Sequence, residues 1–231
     1  MWESFKEDWA YKDFHFRDIT KPQYRHILML LYWPVFLVLF FVVGGIAEKG
    51  DYYVVHCALD DMIPFCEYFI IPYVVWYPLW VLMVLYTLGF EVPTYIRFMK
   101  YLMVTLSLSL SIYILWPNGQ NMWPDPMPRD NFFTWLVGLI YKADHCTNVC
   151  PSEHVSTAFG VVFAAMDSKR FSGKRSIAFW IIAIMITLSV SFIKQHSVLD
   201  ILAAIPVILL GYFLAFFPKH MKNKVENKEE E

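Results

Sequence analysis

Two short polar stretches carry the groups in this chain that could do chemistry. Pro151, Ser152, Glu153 and His154 stand directly ahead of an apolar, helix-like run. The stretch "FIKQHSVLD", residues 192–200, holds Lys194, His196 and Asp200. His196 and Asp200 are four residues apart, which places them on one face if a helix starts near His196. A neutral imidazole bonded to a carboxylate has a fixed tautomer and is a better base or nucleophile. His154 supplies a second imidazole to protonate a leaving oxygen. Ser152 behind Pro151 fits a helix cap, yet free N–H groups at a helix entrance also suit an anion such as phosphate. Lys194 adds a positive charge two residues before His196. A lone histidine at a membrane edge would read as structural. Two of them, with a carboxylate and a hydroxyl, read as a phosphate-handling site.

The elements that must position these groups are apolar. The chain has 231 residues, of which 58% are hydrophobic and 17% charged. Its mean hydropathy is +0.43, more apolar than a soluble domain. Residues 26–47, 68–90 and 101–124 carry no Lys, Arg, Asp or Glu. Each run can cross roughly 30 Å of hydrocarbon as a helix. Residues 176–193 and 201–218 reach the lower limit, and 151–166 qualifies if Glu153 and His154 sit at its outer end. The expected fold is all-α: a polytopic membrane protein built as a six-transmembrane-helix bundle with an interfacial N-terminal segment. Residues 1–26 form that segment, with Trp2, Phe5, Trp9, Phe14 and Phe16 interleaved with charges. They do not read as a cleavable signal. Residues 27–218 form one membrane catalytic domain, and 219–231 a solvated, disordered tail.

Most of the nineteen Lys and Arg residues fall on one side of this arrangement, leaving Lys49, Arg129, Lys142 and Lys194 on the other. Both termini are therefore expected in the cytoplasm, and both polar stretches on the extracytoplasmic side. The inner links "EVPTYIRFMK" and "DSKRFSGKR" are short and basic. The four cysteines lie on the outer side, where Cys57 with Cys66, or Cys146 with Cys150, could pair. Spacing alone leaves the pairing open. His145, Cys146, Cys150 and His154 mimic a zinc set, but the spacing matches no common site. No metal, cofactor or nucleic-acid partner is expected. Asp60, Asp61 and Glu67 read as a solvated loop face, with contact to a polyol as the lesser alternative. Ser107, Ser109 and Ser111 read as sites of close helix approach. Pro72, Pro78 and Pro206 read as kinks.

The six spans, the Pro-Ser-x-His sequence at 151–154 and the His-x-x-x-Asp sequence at 196–200 resemble the type-2 phosphatidic acid phosphatase superfamily. "FIKQHSVLD" is similar to its bacterial branch related to inositol phosphorylceramide synthases. The resemblance covers most of residues 27–217. It implies that His196 attacks phosphorus and becomes phosphorylated, that Asp200 orients it, that His154 is the general acid, and that Ser152 binds a phosphate oxygen. The chain departs from the family pattern in two places. Trp123-Pro124 stands where Arg-Pro would fall, with Trp116 in the place of an upstream Lys, and Ser189-Val190 stands where Ser-Arg would fall. Lys194, Arg129 and Lys142 are the outer-side cations expected to replace the missing arginines, with Lys194 best placed. The expected activity is metal-independent hydrolysis of a phosphorylated lipid at the outer face of a bacterial inner membrane. Transfer of the phosphoryl headgroup to an alcohol acceptor is the alternative, and a silent phospholipid-binding relative the third reading. The partners implied are a phospholipid or lipid phosphate and the bilayer.

Overall fold

The computed structural model describes residues 9–144 and 146–217. Trp2, Phe5, the 219–231 tail and His145 of the zinc-like set lie outside the described residues. The described chain forms eight α-helices: α1 (Tyr32–Lys49), α2 (Ala58–Met62), α3 (Ile70–Phe90), α4 (Val92–Leu115), α5 (Phe132–Ala143), α6 (Glu153–Asp167), α7 (Ser176–Phe192) and α8 (Val198–Ala215). Among the described residues, five helical stretches are long and apolar enough to cross a membrane: Arg25–Lys49, Glu67–Phe90, Val92–Leu115, Gly173–Phe192 and Val198–Ala215. They expose Val38, Ile46, Leu82, Ile181, Leu202 and Phe213, among others. A girdle of exposed apolar side chains is the surface of a membrane protein.

The helix expected as the fourth span, α6, is 15 residues long and lies at the centre. It packs against α3, α4, α7 and α8. Small residues allow that approach. A Cβ on Gly160 would collide with the ring of Tyr101 on α4, and one on Gly211 of α8 would stand 2.6 Å from Thr105. Tyr101 is fully buried and donates its hydroxyl to the Ser156 carbonyl at 2.7 Å. The serines of α4 divide: Ser109 is fully buried within the bundle, as close helix approach requires, whereas Ser107 and Ser111 are exposed. Ser107 meets the Tyr32 hydroxyl at 3.0 Å, and Ser111 donates back to the Ser107 carbonyl. Pro78 and Pro206 lie inside α3 and α8, while Pro72 falls in the first turn of α3, where a missing N–H goes unnoticed.

Two boundaries differ from the sequence reading for identifiable reasons. "EVPTYIRFMK" is the start of α4 and not a link. Pro93 sits at the start of the helix, a favoured place, and Arg97 within the helix is neutralised by Asp167, Nε to Oδ2 at 2.9 Å. Glu91 alone joins α3 to α4, and its carboxylate accepts from Ser168 Oγ at 2.8 Å and from the Lys169 and Arg170 amides. At the opposite end, α8 starts at Val198 with Ser197 as its cap. His196 is thus outside the helix.

The end of the bundle that carries His196 holds the only strands among the described residues. Tyr53–Val54 (β1) pairs in parallel with Asn118–Gly119 (β2), and Gly119 bridges to Thr147. All four cysteines are free, so neither proposed disulfide forms. Trp9 packs edge-on to Phe90, and the Ala10 amide bonds the Gly89 carbonyl. The described part of the N-terminal segment therefore folds back on the end of α3.

Candidate functional site

The turn between α7 and α8 delivers His196. The Gln195 and His196 amides both donate to the Val190 carbonyl, at 2.8 and 3.0 Å. Lys194 takes φ 59°, a left-handed conformation uncommon outside glycine. Its ammonium holds that turn by donating to the carbonyls of Asp60 (2.7 Å) and Ile63. Asp60 grips the start of α8 from the same side. Its carboxylate accepts from Ser197 Oγ at 2.6 Å, from the Val198 amide at 2.8 Å and from the Cys57 amide at 2.8 Å. Asp200, in the first turn of α8, folds its side chain back to the Ser197 amide at 3.0 Å. This fold-back lets Asp200 reach His196 although the two share no helical face.

The imidazole of His196 is 6% exposed and oriented on one edge. Its Nδ1 lies 3.0 Å from the Val149 carbonyl and 3.2 Å from Asp200 Oδ2. A carbonyl only accepts, so Nδ1 carries a proton, and in the neutral ring Nε2 holds the lone pair. That lone pair faces Nδ1 of His154 at 3.3 Å. His154 Nδ1 is then the donor, and its Nε2 is left buried without a partner among the described residues. His154 is clamped between Tyr73 and Trp76, with ring centroids at 4.6 and 4.2 Å. Trp76 is itself fixed by donating Nε1 to Thr157 Oγ1 at 2.6 Å. The Val149 carbonyl is set by buried Asn118, whose Oδ1 accepts the Val149 and Cys150 amides at 3.1 and 2.8 Å.

Both imidazoles line a cavity of about 340 Å³ whose wall also includes Glu153, Asp144 and Gln195. The expected phosphate-binding residues are elsewhere. Ser152 is fully buried and caps α6 through Oγ to the Val155 amide at 3.5 Å, while its own amide donates to the Asp200 carbonyl. It is a cap that ties α6 to α8. The Lys194 ammonium is spent on carbonyls; burial pulls it below the usual lysine range, and the nearby charges of Asp60 and Asp61 only partly restore it. Arg129 is held by Glu67, Nε to Oε1 at 2.7 Å, and its side chain is 51% exposed. Lys142 is exposed in the last turn of α5, where a cation complements the helix dipole. Among the described residues no Lys or Arg lines the cavity. An ionised carboxylate about 4 Å from a phosphate oxygen would repel it by roughly 4 kcal/mol per pair of unit charges.

Trp123, Val190 and Trp116, which stand where the resembled pattern has cations, serve packing roles. Trp123 stacks on Tyr141 with centroids 4.3 Å apart and donates Nε1 to Gln195 Oε1 at 3.2 Å. Val190 is fully buried and its carbonyl anchors the His196 turn. Trp116 packs on Tyr53 outside the cavity. The acidic cluster also splits: Asp61 is exposed beside His56, whereas Asp60 and Glu67 are buried at 3% and 0% exposure. Asp60 and Asn118 were not legible as site-building residues, since each acts through contacts distant in sequence. Tyr73, Trp76 and Tyr77 did leave a signal, their three- and four-residue spacing on one helical face. No three His, Cys, Asp or Glu side chains among the described residues converge to hold a metal ion. Comparison with family models, with curated proteins and with solved structures finds no match to this chain.

Proposed function

We propose that the chain is an integral membrane enzyme that cleaves a phosphoester of a lipid through a phosphohistidine at His196. The observation that carries this reading is the orientation of the two imidazoles. His196 has its proton locked on Nδ1 by Val149 and Asp200, which leaves Nε2 as a nucleophile facing His154 across 3.3 Å. The resting bond between the rings opens to admit the phosphoryl group. His154, once protonated on both nitrogens, donates to the leaving oxygen, and Asp200 stabilises the charge on His196 as phosphorus is attacked. Water completes hydrolysis with His154 taking back the proton. In this reading α6 is the sixth membrane-inserted helix, both termini are cytoplasmic, and the cavity opens toward the extracytoplasmic half of a bacterial inner membrane.

The test is purified protein incubated with a panel of phospholipids in the presence of a chelator. Release of diacylglycerol or phosphate, with an acid-labile label on the protein, is expected. His196→Asn should lose at least about 10³-fold in turnover. Undiminished turnover in that variant would overturn the reading. A phosphorylated alcohol formed only when an acceptor is added would identify transfer in place of hydrolysis.

A further inference from the structure

The cavity has a composition that phosphoester cleavage alone does not explain. Its wall includes Trp33, Trp76, Tyr77 and Trp80. Their rings form a connected series, with centroids 4.2 Å apart for Trp33 and Trp80, 6.2 Å for Trp80 and Trp76, and 4.8 Å for Trp76 and Tyr77. Set in this wall are the carboxylates of Glu153 and Asp144, with no Lys or Arg among the described lining residues. Glu153 Oε1 and His154 Nε2 are shut off from solvent with no hydrogen-bond partner among the described residues, and His154 is 7% exposed. A buried carboxylate oxygen with no partner is costly until a cation or donor meets it. Aromatic faces attract ammonium groups through the ring quadrupole. Both features repel an anion and welcome a cation.

We propose that this cavity holds the ammonium end of a zwitterionic phospholipid headgroup, so that the substrate is an amino-alcohol phosphodiester and not a phosphate monoester. The proposal rests on His196 as the phosphorus-attacking group. A diester phosphate carries one negative charge where a monoester carries nearly two, which reduces the need for a cationic clamp. In the first step a bond forms between His196 Nε2 and phosphorus as the bond from phosphorus to the glycerol oxygen breaks. Protonated His154 gives its proton to that oxygen, releasing diacylglycerol. Water then attacks phosphorus, the nitrogen–phosphorus bond breaks, and the water proton returns to His154. The products are diacylglycerol and the phosphorylated amino alcohol.

The experiment compares four lipids in detergent micelles: diacyl phosphocholine, diacyl phosphoethanolamine, diacyl phosphoglycerol and diacylglycerol phosphate. Diacylglycerol and headgroup products are followed by mass spectrometry. At least a tenfold preference for one or both zwitterionic lipids is expected, and which of the two tells a quaternary from a primary ammonium. Glu153→Gln, near-isosteric, should raise KM for the zwitterionic lipid about tenfold and narrow its advantage over the anionic lipids. Asp144→Asn serves as the second variant, with a change in the same direction expected. Cleavage confined to the anionic lipids would overturn the proposal while leaving His196 as the nucleophile. Binding of free phosphocholine or phosphoethanolamine, read by quenching of tryptophan fluorescence, is independent of turnover. Quenching in wild type, weakened about tenfold in Glu153→Gln, with no lipid cleaved would uphold the cation site and sink the catalytic reading. Absence of both quenching and zwitterionic cleavage would overturn the cation site.

Discussion

Replacing Asp60 by alanine tests whether the short helix α2 governs a cavity that it does not line. Asp60 is 3% exposed and accepts three hydrogen bonds, two of them at the entrance of α8. Hydrogen bonds to a charged acceptor contribute about 1.5–3 kcal/mol each. Ser197 is fully buried, whereas the Val198 and Cys57 amides lie in partly buried contacts that water can re-satisfy. Asp60→Ala should therefore cost about 3–5 kcal/mol, which lowers the unfolding midpoint by roughly 6–20 °C for a chain of this size. Asp60→Asn keeps one acceptor oxygen and should lose about half as much. A His196 displaced by about 1 Å would also slow turnover by roughly 10²-fold. The assay is thermal unfolding in detergent alongside lipid turnover. The pH dependence supplies an independent reading. Burial raises the Asp60 carboxyl, but hydrogen bonds from Ser197, Val198 and Cys57 outweigh it and hold it below the usual range. A depressed value contributes stability that is present above about pH 4 and lost as pH falls through the folded value. Wild type should thus lose stability on acidification below about pH 4 more steeply than Asp60→Asn. An Asp60→Ala protein with wild-type midpoint and turnover would refute the reasoning.

Two other perturbations separate packing from chemistry. Arg129→Gln removes the half-exposed guanidinium from Glu67, which keeps its bond from Asn131; the unfolding midpoint should fall, while KM for lipid should stay within twofold because Arg129 does not line the cavity. A raised KM at unchanged stability would restore it as a phosphate ligand. Gly160→Ala drives a methyl group into the Tyr101 ring between α6 and α4 and should destabilise by about 1–3 kcal/mol, read from the same thermal unfolding.

The long apolar helices were legible because runs without charge leave little alternative to burial in hydrocarbon. The start of α4 was not, because Arg97 looks like a link residue until Asp167, seventy positions away, neutralises it. The histidine pair was legible from residue type and spacing, though the expected reason for contact with Asp200 was different. The helix begins after His196, and Asp200 reaches it by folding back to cap. The cations were misplaced for a related reason. Lys194, Arg129 and Lys142 are near the site in sequence or on its side, but proximity does not reveal that two of them already have partners. Charge sign along a chain is visible; where each charge is spent depends on the fold.

The shelter of α6 has a bearing on how the bilayer reaches the chemistry. Apart from Met166, every residue of this helix is buried or partly buried, so acyl chains press on the surrounding ring of helices and not on the element carrying His154. Thickness changes or lipid phase transitions would first tilt the outer helices, whose surfaces are apolar and forgiving. The histidine pair, fastened to α6 and to the capped start of α8, is thereby insulated from the surrounding bilayer.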